Sequence, residues 1–350
     1  MTPGVAPEHE PSSLAVQATI MDGLKSVVDI FDRQLESDLP AVRSLCKHIE
    51  RYRGKMLRPS LVLACGLAAH PAWECDSPPA SLGTLLRREH FVIAAVCEMV
   101  HMATLVHDDV LDEADIRRRG RTVNRLYGNE PAVILGDYLI AGAYHLCSQL
   151  QDQRAALAVA HASMVLCSGE LLQLHHRKDF SLDVATYFEI IDRKTAVLIA
   201  ASCELGAAQS GAPPAVCADC REIGRQLGIA FQIQDDILDL TGAESVVGKS
   251  VGKDLEKGKL TLPLVHHLSC VSPRDRTATL DLLARRASGD DPSAASRLVD
   301  ALESTGSLVH AREQAFVLVS RAKELLRRLH RSDARTLLLE MADAVVARSA

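Results

Sequence analysis

Apolar residues recur at three- and four-residue intervals from about residue 14 to the end of the chain. That spacing gathers them on one stripe of an α-helix. Nowhere does the chain sustain the strict alternation, bounded by turn pairs, of a half-buried strand. The pattern breaks at Pro, Gly and Ser clusters near residues 38–40, 71–83, 128–131, 211–214, 242–258 and 289–292. No fixed-period repeat interrupts it, and no linker is long enough to force a second domain. The prediction is a single all-α domain over residues 16–350, preceded by a loose tail over residues 1–15.

Composition sharpens this picture. The 350 residues are 47% hydrophobic but only 3% aromatic, so the core must be built from Leu, Ala, Val and Ile, which favours packed helices. A net charge of −6 argues against a dedicated nucleic-acid binder. Ten cysteines follow no repeating frame; Cys217 and Cys220 in "CADC" lack a second pair at zinc spacing and read as reduced thiols. The opening residues contain no Arg and resemble neither a secretory leader nor a transit peptide. No apolar run is expected to span a bilayer, and the setting expected is cytoplasmic.

Two aspartate clusters carry the chemistry. Asp108, Asp109 and Asp112 lie in "LVHDDVLDEADIRRRG", and Asp235, Asp236 and Asp239 in "FQIQDDILDL". On a helix, Asp108 and Asp112 share a face, as do Asp235 and Asp239, and such stacked carboxylates repel unless a cation lies between them. Both clusters also end apolar runs, where the negative pole of the helix dipole disfavours acid. Oxygen ligands in ones and twos select Mg²⁺, which completes its shell with water and phosphate oxygens. Metal ions would then bridge carboxylates to an anionic diphosphate.

Basic residues complement them: Lys55 and Arg58 in "GKMLRP", Arg117 and Arg118, Lys194 in "DRKTAV", and Lys249, Lys253 and Lys259 after the second cluster. Arg offers forked donors and Lys a point charge to phosphate. The segment "GKS" at Gly248–Ser250 nearly forms a nucleotide P-loop, but no strand precedes it and its first glycine is out of register.

In their order, "GKMLRPSLV", "HMATLVHDDVLDEADIRR", "VNRLYGNEPAVILGDYL", "GELLQL", "DRKTA", "GIAFQIQDDILDL" and "GKSVGKDLEKGKLTLPL" resemble the trans-isoprenyl diphosphate synthase family, octaprenyl-type long-chain members most of all. The resemblance covers nearly all of the chain beyond its first fifteen residues. It implies helices around a deep central cavity, a homodimer, and a Mg²⁺-dependent condensation of isopentenyl diphosphate with an allylic diphosphate. Carried over by position, Lys55, Arg58, His101 and Arg118 form the isopentenyl diphosphate site. Arg117, Lys194, Thr195, Gln232 and Lys249 serve the allylic diphosphate, with Lys194, Thr195 and Gln232 placed to stabilise developing charge. Asp108, Asp112, Asp235 and Asp239 hold the metal.

One departure is visible, since Arg119 stands where the family often has Gly, and Gly120 follows. Short-chain members of the family place bulky aromatics four or five residues before the first aspartate. Here those positions are Thr104 and Ala103, with Val100 deeper on the stripe, so a product longer than geranylgeranyl diphosphate is expected. A geranylgeranyl diphosphate synthase is the main alternative. A terpene cyclase would need neither "GKMLR" nor a second aspartate cluster, and a non-catalytic subunit of a heteromeric synthase should have lost some of these side chains.

Overall fold

The computed structural model describes residues 13–74, 81–118, 120–241, 258–288 and 293–347. Lys249, Lys253, Arg119 and nearly all of the predicted tail lie outside the described residues. The first ten helices are α1 (Ser13–Leu35), α2 (Pro40–Ile49), α3 (Leu57–Ala68), α4 (Arg88–Leu111), α5 (Val123–Tyr127), α6 (Asn129–Ser148), α7 (Gln153–His175), α8 (Val184–Ile191), α9 (Val197–Gln209) and α10 (Pro214–Thr241). Helices Leu262–Cys270, Pro273–Ser288, Ala294–Ser304, Ser307–Leu326 and Asp333–Val346 complete the fold. The all-α expectation holds, and among the described residues β-structure is limited to one hairpin, β1 (Ile116–Arg117) with β2 (Gly120–Arg121).

Helix starts follow local chemistry. The Asp152 carboxylate accepts the Arg154 N–H at 3.0 Å to begin α7, and Asp183 accepts the Thr186 N–H at 2.7 Å to begin α8. Each satisfies one of the orphan donors at a helix N-terminus. Helix α3 packs against α4 and α9, α4 against α6, and α9 against α10. Two apolar clusters fill this arrangement, one around Leu63, Ile199, Ile223 and Ile233, the other around Ile93, Met99, Met102 and Leu139. Both are mostly aliphatic, as the scarcity of aromatics requires.

The bilayer expectation needs correction. Helices α4 and α7 are each long and apolar enough to cross a membrane by length and composition, because scattered His, Gln and Glu break the run without lowering its average enough. In α4 the most apolar stretch is 72% buried within the protein, as suits a core helix; in α7 it is only 28% buried. The cysteine expectation stands for the described residues: all nine are free, Cys217 and Cys220 among them.

A single π-helical turn, Asp192–Ala196, joins α8 to α9; the Val197 N–H bonds the Asp192 carbonyl five residues back. Two glycines make room for it. A Cβ on Gly169 of α7 would stand 2.7 Å from the Lys194 nitrogen, and one on Gly228 of α10 would stand 2.7 Å from the Ala196 Cα. The wide turn thus fits between two helices whose side chains have been removed at the crossing.

Candidate active site

Helix α4 ends at the first aspartate cluster. The Asp112 N–H closes its last turn on the Asp108 carbonyl at 2.8 Å, and the Ala114 N–H bonds the Asp109 carbonyl at 2.9 Å. The chain then folds back as the β1–β2 hairpin, with Arg118 held at φ 47°, a left-handed conformation disfavoured for residues with a Cβ. This turn aims two adjacent arginines differently. Arg117 donates from Nε to Asp109 at 2.8 Å, while Arg118 donates to the Tyr52 carbonyl. The Tyr52 hydroxyl also donates to Asp109, at 2.8 Å.

Asp109 is therefore an anchor, 1% exposed and held by two donors. Burial lowers the Arg117 pKa, but the bond to and charge of Asp109 outweigh it and hold the guanidinium above its ordinary value. Burial, then the Asp109 charge, push the Tyr52 phenol up. Asp108 and Asp112, on the adjoining face, keep partial exposure and face cations: Lys194 Nζ lies 3.7 Å from Asp108, and Lys259 Nζ donates to Asp112 at 3.1 Å. Lys194 also pairs with Glu170 of α7.

The second cluster repeats the logic with other partners. In α10, Asp236 and Asp239 are buried and Asp235 is half-buried. Asp236 accepts the Tyr187 hydroxyl at 2.6 Å and the Gln232 amide nitrogen at 2.8 Å. Its nitrogen so engaged, Gln232 turns its carbonyl to the π turn and accepts the Thr195 hydroxyl at 2.8 Å. Lys194 and Thr195, neighbours on that turn, therefore address different clusters. A cleft enclosing about 620 Å³, open mouth included, lies between α7, α8 and α10; Lys194, Thr195, Gln232 and Lys259 are among its lining residues.

Two turns back along α4, on the face that carries Asp108, His101 lies among Arg58, Arg117 and Arg118. Burial first, then the charges of Arg58, Arg118 and Arg117, hold its pKa well below the usual histidine value, so the ring is neutral. Glu98, one turn earlier and 3% exposed, is raised by burial against the opposing pull of Arg58, Arg118 and Arg53. Lys55 is exposed on the turn before α3. Positive charge is thus concentrated on this flank of the first cluster.

Of the positions expected to set product length, Val100 and Ala103 are sealed in the apolar core, at 2% and 0% exposure. Thr104 is half-buried and donates to the His101 carbonyl at 2.7 Å. Sequence reasoning missed Tyr52, Tyr187, Glu98 and Glu170. The scarcity of aromatics was a usable signal, because two of only five tyrosines secure the middle aspartate of a cluster.

The donor set fits a hard divalent cation. Asp108 and Asp112 offer oxygen only and gather ammonium groups, whereas Asp109 is committed inward. Among the described residues, no three His, Cys, Asp or Glu side chains converge into a cage.

Residues 40–300 match the polyprenyl synthetase family. The chain is 34% identical over 328 residues to heptaprenyl diphosphate synthase component 2 of Geobacillus stearothermophilus, covering 94% of this chain and 96% of that protein. Octaprenyl diphosphate synthase of Escherichia coli is 30% identical over 315 residues, 90% of this chain and 92% of its own. Polyprenyl synthase of Caulobacter crescentus, solved with calcium and isoprenyl diphosphate, superposes with a TM-score of 0.84 at 31% identity, over 98% of this chain and all of that one.

Proposed function

The chain belongs to the polyprenyl synthetase family, and on that premise we propose that it is a Mg²⁺-dependent trans-prenyltransferase. In this reading it condenses isopentenyl diphosphate with an allylic diphosphate to give a medium- or long-chain polyprenyl diphosphate. The observation that carries this is the split of cations along the aspartate-bearing face of α4. Arg58 and Arg118 flank neutral His101 two turns before the cluster, and Lys194 and Lys259 face the outer aspartates at the helix end. Two diphosphates need two such cation sets.

Lys55, Arg58, His101 and Arg118 hold isopentenyl diphosphate. Lys194, Lys249, Thr195 and Gln232 serve the allylic substrate, as does Arg117, which is braced on Asp109. Asp108, Asp112, Asp235 and Asp239 would hold the metal, which when bound neutralises the leaving diphosphate as a Lewis acid. Loss of that diphosphate leaves an allylic cation, which the isopentenyl double bond attacks. Because Thr195 donates its proton to Gln232, its oxygen lone pairs remain for the cation, in an orientation fixed before reaction. A proton then leaves, most simply to the released diphosphate, and apolar surroundings exclude water from the cation.

A homodimer fits the exposed apolar side chains of α6 and α7, with Ile134, Leu157, Met164 and Leu171 each more than 60% exposed. The free thiols support a reducing, cytoplasmic setting. A second reading, that activity needs a partner subunit, is favoured by the heptaprenyl relative named component 2. Incubating the purified protein alone with Mg²⁺, isopentenyl diphosphate and farnesyl diphosphate, then sizing the products, tests these points. Products longer than geranylgeranyl diphosphate are expected. Arrest at geranylgeranyl favours the shorter-chain alternative, and no product favours the two-subunit reading. Thr104→Phe should shorten the product while the first condensation persists; Ala103→Tyr would instead overpack a sealed core position and cost about 1–3 kcal/mol of stability.

A further inference from the structure

One cation on the first aspartate cluster comes from outside every motif named above. Arg177 sits in the turn after α7, where its N–H bonds the Leu174 carbonyl at 3.2 Å. Its guanidinium donates to Asp112 at 3.3 Å, so that carboxylate is bound by Arg177 as well as by Lys259. The turn is fixed by its backbone. Lys178, at φ 65°, donates its N–H to the Gly258 carbonyl at 2.9 Å. Gly258 is required there: its φ is 71°, and a Cβ would stand 2.6 Å from the Lys178 Cγ. Three stretches distant in sequence therefore meet at Asp112: the end of α4, the turn carrying Arg177, and the Gly258–Lys259 segment.

Arg177 also has capacity in reserve. Its Nε is buried and finds no hydrogen-bond partner among the described residues. A guanidinium carries five N–H donors in a planar fork suited to phosphate oxygens, and an idle buried donor is a standing cost that an anion would remove. A divalent cation and a guanidinium would compete for the same Asp112 oxygens. We propose that Arg177 is a further ligand of the allylic diphosphate, held on Asp112 until a divalent cation takes that carboxylate. The inference rests on the reading of Asp112 as a metal ligand, and it gives the 176–179 turn a role in substrate recognition.

Magnesium titrations without substrate, followed by thermal unfolding, measure the competition directly, and Michaelis constants measure the contact. Wild-type protein should gain Tm with Mg²⁺, and Asp108→Ala should lose that gain. Arg177→Gln should reach half-saturation at a several-fold lower Mg²⁺ concentration, because a competitor has gone. The same variant should raise KM for the allylic diphosphate about tenfold, the size of one hydrogen bond to a charged group, and leave KM for isopentenyl diphosphate within about twofold. Arg177→Lys, which keeps the charge, should recover part of the allylic KM. Unchanged Mg²⁺ half-saturation and allylic KM in Arg177→Gln would overturn the inference alone. A wild-type protein whose Tm ignores Mg²⁺ would overturn the metal-site reading and the inference with it.

Discussion

The two aspartate clusters share one sequence pattern, DDxxD, yet their surroundings differ. In both, the middle aspartate is buried and bonded by a tyrosine hydroxyl, Tyr52 to Asp109 and Tyr187 to Asp236. The second donor is what differs. Asp109 takes Arg117 and so becomes half of a buried ion pair that fixes the hairpin. Asp236 takes the Gln232 amide and so orients a neutral relay to Thr195. The contrast extends two turns back along each helix. Seven residues before the first aspartate, α4 carries His101 among arginines, whereas α10 carries Gly228, which admits the π turn bearing Lys194 and Thr195. The same motif thus faces a cationic flank in one helix and a neutral hydrogen-bond network in the other.

Substitution within each triplet tests this contrast, and the outer positions should show the largest effect. Asp108→Ala and Asp235→Ala are each expected to lower kcat by at least about a thousandfold with unchanged helical circular dichroism, as loss of essential charge stabilisation requires. Asp109→Ala should instead register in unfolding, costing about 3–5 kcal/mol because it strands Arg117 without its partner. If Asp109→Ala matched the stability of the wild type, the ion-pair account of the first cluster would be wrong.

A smaller effect separates the second cluster. Tyr187→Phe removes one donor from Asp236 and loosens Gln232, so kcat should fall about tenfold with both Michaelis constants nearly unchanged, the pattern of an interaction felt mainly in the transition state. Tyr52→Phe should leave turnover less affected and lower Tm more, since its partner anchors structure. Equal kinetic losses in the two variants would erase the distinction between the middle aspartates.

The smallest expected effect is one of pH. His101 is held below its ordinary pKa by burial and by Arg58, Arg118 and Arg117, so the unfolded chain takes up its proton first on acidification. Its contribution is fully present above about pH 6.5 and is lost as pH falls from there toward the depressed folded value. His101→Gln should therefore lose less Tm than the wild type between about pH 7 and pH 5. Parallel Tm–pH curves for the two proteins would remove His101 from the cationic flank.

Much of this was legible in the chain. The three- and four-residue apolar period gave the all-α class, and the breaks near residues 38–40 and 211–214 match the gaps before α2 and α10. The i, i+4 spacing set Asp108 and Asp112 apart from Asp109 on the helix surface, and the seven-residue step placed His101 on their side. The π turn was not legible, because "DRKTA" continues the helical pattern; only the glycines of α7 and α10, brought against it by packing, reveal the space it needs. The length and apolarity of α7 were also underestimated, since its polar residues interrupt the run without outweighing it.

What the sequence determined by itself was everything that depends on spacing within one helix: the class, the paired carboxylates, and the side on which each residue stands. Tertiary structure alone decided what each carboxylate binds. Arg117, Tyr187, Lys259 and Arg177 reach their aspartates across 8, 49, 147 and 65 positions of chain respectively. Helical periodicity extends a few turns, so it cannot say which distant donor a buried oxygen will meet. Packing brings α4, α7, α8 and α10 together, and only then do six chemically identical aspartates acquire different partners.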